Sequence, residues 1–182
     1  MSQMLKAAAF LDRDGVINEE VHYLHEPEKT VLIPGVAEAL NKIHEHGYLA
    51  VIVTNQSGIA RGMYGEPEMH SVHAKIKELL AADGADFDAV YFCPHPPTAE
   101  CSCRKPKPGM LLQAAKDLGI DPARSFMVGD RAGDMEAGQQ AGCQTTYLVR
   151  TGYGQQTLEK GTPQGAVVVD DLLAAVNDFF KD

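Results

Sequence analysis

Short β-rich apolar runs alternate with helical patterns from one end of this chain to the other, and no other feature restricts its fold so tightly. The runs predict strands over residues 7–11, 49–54, 89–92, 125–128, 145–149 and 166–169. Between them, Val36, Ala39, Leu40 and Ile43 share one helix face that stops at Gly47. A second helix begins near Pro67 and turns Met69, Val72, Ile76, Leu79 and Leu80 inward. Residues 110–118 precede Gly119 and residues 134–141 precede Gly142, glycines suited to the left-handed residue that ends a helix. The last helix, 171–180, carries Leu172, Leu173, Val176, Phe179 and Phe180. Strand and helix repeated in this way require right-handed βαβ units and a mostly parallel sheet covered on both faces. The expected fold is therefore α/β, a three-layer Rossmann-like sandwich whose ligands bind beyond the carboxyl ends of the strands.

No internal repeat, low-complexity tract or linker divides the chain, and 182 residues with 45% hydrophobic content suffice for one well-buried domain, 1–182. The net charge of -9, from 25 acids against 16 bases, argues against nucleic acid or an anionic membrane as partner. The apolar runs are too short to cross a bilayer and the N-terminus lacks a signal-peptide pattern, so a cytoplasmic protein is expected. In that compartment the four cysteines suit metal or core positions better than disulfides.

Chemistry concentrates at the predicted strand ends. Asp12 and Asp14 follow the first strand two residues apart, so both carboxylates face one space. Such a pair is either an acidic turn capping the next segment or a site where a cation such as Mg2+ relieves the repulsion. In the second case Asp12 can attack phosphorus while Asp14 passes a proton to the leaving oxygen. Thr54 and the amide of Asn55 end the second strand, where they could donate to phosphoryl oxygens. Arg104 and Lys105 place positive charge on a loop before a helix. Asp130, with Asp134 four residues on, adds carboxylates after the fourth strand for a hard, oxygen-preferring cation.

A separate cluster occupies residues 93–103. Cys93, His95, Cys101 and Cys103 offer three thiolates and an imidazole, a donor set for tetrahedral Zn2+ with no open position. The expected role is structural, fixing a Pro-rich loop that ends at Arg104-Lys105. Of the remaining candidates, His44 and His46 cannot share a helix face, and His70 and His73 are expected on a solvated one. His22 lies in a loop within reach of a ligand, and Cys143 reads as a small buried hydrophobe.

Taken in order, Asp12-Arg13-Asp14-Gly15, Thr54, Lys105 and Gly129-Asp130 with Asp134 resemble the haloacid dehalogenase-like (HAD) superfamily of phosphohydrolases. The resemblance spans nearly the whole chain. It implies Asp12 as nucleophile, Asp14 as general acid and base, and Thr54 and Lys105 as the phosphoryl-binding pair. It also implies Mg2+ on the Asp12 carboxylate, the Asp14 backbone carbonyl and Asp130, with Asp134 orienting the metal shell. Neither interval that holds a cap domain in this superfamily is long enough for one here, so the loops must set specificity.

Within the capless group, DRDGVIN, TNQSGIARG, the CPH…CSCRKPKPGM stretch and GDRAGDMEAGQQAG look like the bacterial heptose bisphosphate 7-phosphatases. That likeness implies a sugar bisphosphate substrate, on the route to nucleotide-activated heptose for lipopolysaccharide. The substrate contacts it implies are Arg13, Glu20, His22, Tyr23, Thr54, Asn55, Gln56, Ser57, Arg104, Lys105 and Arg131, in a monomer. The short spacing between the zinc-ligand pairs also occurs in histidinol-phosphate phosphatases, which remain the alternative. Arg131 stands where some members have Lys, which keeps the charge but not the geometry. Two rival classes share part of the pattern: a phosphoacceptor signalling domain, which needs neither Asp14 nor a zinc knuckle, and a zinc-dependent binding module.

Overall fold

Every residue of the first strand is apolar, Ala8-Ala9-Phe10-Leu11, because this strand lies in the middle of the sheet with both faces covered. The period of two splits it cleanly: Ala9 and Leu11 pack into one hydrophobic cluster, Ala8 and Phe10 into the other. The computed structural model describes residues 3–181. Its six strands, β1 (Ala8–Leu11), β2 (Leu49–Asn55), β3 (Ala89–Cys93), β4 (Phe126–Gly129), β5 (Thr145–Val149) and β6 (Ala166–Val169), form one parallel sheet. The order β3-β2-β1-β4-β5-β6 reverses direction between β1 and β4, so the crevice where such sheets bind ligands lies beyond Leu11 and Gly129.

Helices α1 (Val36–Glu45), α2 (Glu66–Ala81) and α6 (Leu172–Phe179) cover one face, and α3 (Gly109–Leu118) and α4 (Ala132–Ala141) the other. The buried residues of α1, α2 and α6 follow the predicted stripes, except that Leu79, expected inward on α2, is only half-buried. Gly119 and Gly142 end α3 and α4 with φ of 66° and 89°, and the Asp171 side chain caps α6 by accepting from the Ala174 amide at 2.8 Å. Among the described residues, β1 and β2 are joined by a loop, a 3-10 turn (Pro27–Lys29) and α1, and β2 and β3 by α2, with no inserted cap domain. No helix there is long and apolar enough to cross a membrane.

The strands differ from expectation mainly at their ends. Ser125 lies outside β4, its hydroxyl accepting from the Ala8 amide at 3.0 Å and donating to the Asp121 carbonyl at 2.7 Å. At the opposite end β2, β3 and β4 each run one residue further, to Asn55, Cys93 and Gly129, so regular structure reaches the site itself. A sixth helix, α5 (Gly154–Glu159), has no counterpart in the pattern, being too short to show a helical stripe. His73 is a correction. It was expected beside His70 on a solvated face, but it is 7% exposed and shares the inward side of α2 with Met69, Val72 and Ile76.

At Gly138 a Cβ atom would lie 2.7 Å from Met127 Cβ and 2.8 Å from Thr146 Cγ2, which sets how closely α4 approaches β4 and β5. Gly138→Ala gains up to about 1 kcal/mol of helix propensity but loses about 1–3 kcal/mol to overpacking. Thermal unfolding of this variant should therefore show a lower Tm, against the usual benefit of alanine in a helix.

Candidate active site

Past Leu11 the chain turns sharply, with the Ile17 amide donating to the Arg13 carbonyl at 2.8 Å and the Gly15 amide to the Asn18 carbonyl at 2.8 Å. Asp12 stays aligned with the sheet through its amide, which donates to the Val128 carbonyl at 3.0 Å. Asp12 and Asp14 line the same pocket, as their spacing required. Asp14 is held by donors: Arg13 Nη2 reaches its two oxygens at 2.9 and 3.0 Å, Arg13 Nε and Asn18 Nδ2 reach Oδ1 at 3.2 and 3.0 Å, and Gln56 Nε2 reaches Oδ2 at 3.3 Å. Arg13, expected to contact substrate, has no exposed surface and does not line the pocket. Its guanidinium is consumed by Asp14 and by His73 Nε2, 3.2 Å from Nη1.

Lys105 projects into the same space from the loop after the cysteine cluster. Its buried ammonium donates to Asp12 Oδ1 at 2.9 Å, the Val53 carbonyl at 2.8 Å and Asp134 Oδ1 at 2.7 Å, which uses all three protons. Burial alone would lower the lysine pKa, but Asp12 and Asp134 outweigh it and hold the group well above its ordinary value. Asp12 is pushed up to about 6, chiefly by burial, with Lys105 opposing and Asp134 and Asp14 adding to the rise. The Arg13 amide also donates to Asp12 Oδ1 at 2.9 Å, and Oδ2 has no protein donor among the described residues.

Carboxylate oxygens of Asp12, Asp130 and Asp134 lie within 4.8 Å of one another. Asp134 is fully engaged, since Oδ1 meets Lys105 and Oδ2 accepts from the amides of Asp130 and Arg131 at 3.1 and 3.0 Å. Asp130 is different. Its Oδ2 accepts from the Tyr153 amide at 2.8 Å, but Oδ1 is buried without a partner among the described residues, and burial with Asp12 and Asp134 nearby pushes its pKa up to about 9. A buried acceptor left open beside two other carboxylates fits a hard divalent cation. Asp12, Asp130 and the Asp14 carbonyl, which accepts no backbone hydrogen bond among the described residues, could hold one. Gly15 and Gly152, with φ of 86° and 57°, pack against this carboxylate, and a Cβ on either would strike Asp130 Oδ2. The segment around α5 steadies it further: Thr151 Oγ1 donates to the Gly15 carbonyl at 2.7 Å and Thr157 Oγ1 to the Asp130 carbonyl at 2.8 Å.

Thr54 is buried, its Oγ1 accepting from Gln56 Nε2 at 2.9 Å, which leaves the hydroxyl proton free to donate. The Asn55 side chain is bound back onto Lys105, accepting from its amide at 3.1 Å and donating to its carbonyl at 3.2 Å, so it positions the lysine. Above these residues opens a pocket of about 350 Å³. Glu20, His22, Tyr23, Asn55, Gln56, Ser57, Arg104, Lys105 and Arg131 all line it, whereas Thr54 is buried and does not. Glu20 is pushed up to about 7 by burial and by Asp14 and Asp12. Five further lining residues, Leu24, Arg61, Tyr64, Pro97 and Tyr153, were not among the expected contacts. Arg61 packs over the Tyr23 ring at 5.6 Å, Tyr153 lies under Arg131 at 4.0 Å, and the Tyr64 hydroxyl donates to Gln56 Oε1. Arg61 was legible in principle, a cation only four residues after Ser57; the tyrosines had no local signal.

The four expected zinc ligands converge, with their donor atoms within 4.8 Å of one another and the imidazole presenting Nδ1. Cys93 Sγ lies 3.8 Å from Cys101 Sγ, close to the edge of about 3.8 Å expected for tetrahedral zinc with Zn–S near 2.3 Å, but 2.9 Å from Cys103 Sγ, closer than two zinc-bound thiolates stand. Three thiols and an imidazole converging in this way fit Zn2+ by the chemistry of the donor set. Cys93 ends β3, where its carbonyl accepts from the Gln56 amide at 2.8 Å, and Lys107 Nζ donates to the Cys101 carbonyl at 2.7 Å. Cys143 stands apart and packs against the α3/α4 cluster.

Residues 102–175 match the HAD-hydrolase-like family model. The D-glycero-beta-D-manno-heptose-1,7-bisphosphate 7-phosphatase of Pasteurella multocida is 45% identical, with 92% of this chain and 94% of that protein aligned. The chain belongs to the same family of HAD phosphatases. The Vibrio cholerae protein of the same name is 46% identical over 93% of this chain and 94% of its own. The D,D-heptose 1,7-bisphosphate phosphatase of B. bronchiseptica, solved with magnesium and phosphate, superposes with a TM-score of 0.89 at 37% identity, covering 96% of this chain and 98% of that one. This chain is accordingly a phosphatase with the three-layer HAD fold and no cap.

Zinc at the cysteine cluster makes a direct prediction. Protein purified without chelator should carry one zinc per chain by elemental analysis, and Cys101→Ser should lose it. Stripping the metal should weaken substrate binding through Arg104 and Lys105 before it lowers the Tm of the core; metal-free protein with unchanged KM and loop protection would contradict this.

Proposed function

We propose that this chain is a Mg2+-dependent phosphatase that removes the 7-phosphate of D-glycero-β-D-manno-heptose 1,7-bisphosphate, in the synthesis of nucleotide-activated heptose. The observation that carries the chemistry is Asp12, held by Lys105 and the neighbouring Arg13 amide and left with one oxygen free, beside the independently anchored Asp14. Mg2+ bound by Asp12, Asp130 and the Asp14 carbonyl would neutralise charge on the phosphoryl oxygens and on the crowded carboxylates.

Asp12 attacks phosphorus, and the bond from phosphorus to the sugar oxygen breaks as Asp14 gives that oxygen its proton. In the second half Asp14 takes a proton from water, the water oxygen bonds to phosphorus, and the acyl phosphate bond to Asp12 breaks. Thr54 and the Asn55 amide donate to the phosphoryl group, and the Lys105 ammonium, its protons held by Asp12, Val53 and Asp134, adds positive charge beside it. Lys105, already bridging Asp12 and Asp134, also keeps Asp12 aimed.

The β-heptose bisphosphate reading is supported by the names of the relatives from P. multocida and V. cholerae. The pocket agrees with it. Arg61, Arg104 and Arg131 give its outer wall the positive charge a second phosphate requires, and Glu20, His22, Gln56 and Ser57 offer polar groups for sugar hydroxyls. Histidinol phosphate carries an ammonium and a single phosphate, which such a wall disfavours. All of the site residues are carried by one six-stranded sheet and its connections, which supports a single domain, 1–182, acting on a small molecule.

Phosphate release from the two heptose 1,7-bisphosphate anomers and from histidinol phosphate tests the assignment. The β anomer should have the highest kcat/KM, by roughly a hundredfold or more over histidinol phosphate; equal or reversed efficiencies would overturn the substrate. Asp12→Asn should abolish turnover while keeping the fold, and Asp14→Asn should cost roughly 10²–10⁴-fold in kcat.

A further inference from the structure

Arg13 is wholly buried between two partners. Its Nε and Nη2 edge grips Asp14, at 3.2 Å and at 2.9 and 3.0 Å, and its other terminal nitrogen, Nη1, lies 3.2 Å from His73 Nε2. A guanidinium can only donate, so His73 Nε2 accepts, and the imidazole is neutral with its proton on Nδ1. Burial and the charge of Arg13 both favour that neutral form, pushing the His73 pKa down to about 3. The ring lies on the inward side of α2 and is 7% exposed, on the side that also carries the fully buried Met69, Val72 and Ile76.

We propose that His73 is a positioning residue for Asp14: by accepting from Arg13 Nη1 it locks the guanidinium plane and thereby the place of the Asp14 carboxyl group. The inference rests on the proton-transfer role of Asp14 proposed above. Asn18 and Gln56 also donate to Asp14, but each does so with one nitrogen, whereas Arg13 supplies a two-nitrogen fork whose rotation would carry the carboxyl with it. His73 meets the end of that fork remote from Asp14. It therefore restrains the rotation while touching neither substrate nor either aspartate, and it couples α2 to the reacting centre.

The test compares His73→Phe, which keeps an aromatic ring but no acceptor, with His73→Gln, whose side-chain oxygen can replace Nε2. Each is assayed on an alkyl phosphate substrate, which needs a proton on its leaving oxygen, and on an activated aryl phosphate, which does not. In His73→Phe, kcat for the alkyl phosphate should fall about tenfold, within the roughly 10²–10⁴-fold that a positioned acid contributes. KM should be unchanged, the initial burst of aryl leaving group should stay near the wild-type rate, and His73→Gln should recover most of the loss. Unchanged kcat in His73→Phe, an aryl burst slowed as much as alkyl phosphate turnover, or no recovery in His73→Gln would overturn the proposal. Asp14→Asn separates the two levels: full alkyl phosphatase activity there would refute the role of Asp14 itself, whereas an inactive Asp14→Asn beside a normal His73→Phe would refute only the role of His73.

Discussion

The Lys105 ammonium is buried and gives one proton each to Asp12, to the Val53 carbonyl and to Asp134. These partners follow β1, belong to β2 and lie in the first turn of α4, so a single cation ties together the three segments that flank the switch in strand order. A buried lysine is tolerated only when paired. Without this one, the Asp12, Asp130 and Asp134 carboxylates would face one another unopposed. Even with it, three acids crowd against one base, and Asp130 keeps an unpartnered buried oxygen. That imbalance makes a divalent cation the natural fifth member of the group.

Lys105 depends in turn on supports that take no part in the reaction. Asn55 holds its backbone from both sides, and Cys103, two residues earlier, belongs to the zinc-fitting cluster anchored at the end of β3. Asp14 is held by a different set, Arg13, Asn18 and Gln56. The nucleophile and the proton carrier are thus located independently, although they sit two residues apart. This separation gives each carboxylate its own cation, Lys105 for Asp12 and Arg13 for Asp14, so that one can be aimed without displacing the other.

The sheet was legible because each strand is a compact apolar run that stops at a polar residue, and the helices because glycine follows the apolar stripe of α3 and α4. The metal clusters were legible because their ligands are close in sequence or occupy strand ends. Arg13 was not, since an arginine between two acids looks like an exposed binding residue until the chain buries it. His73 was readable: Met69, Val72, Ile76 and Leu80 already marked the inward face of α2, and residue 73 falls within it. The support given by Thr151, Tyr153 and Thr157 comes through backbone groups and hydroxyls in a short helix and the turn before it, for which the sequence has no periodic signature.

The central claim is that Asp12 carries the phosphoryl group between the two halves of the reaction. Asp14→Asn mixed with an activated aryl phosphate tests it most directly, because the leaving group needs no proton and the base that activates water is missing. Rapid quenching and peptide mass mapping should then find one phosphoryl group, on the peptide containing Asp12, accumulating as the aryl group leaves. Release of aryl group and phosphate together with no modified peptide, or a phosphoryl group on any other residue, would contradict the account.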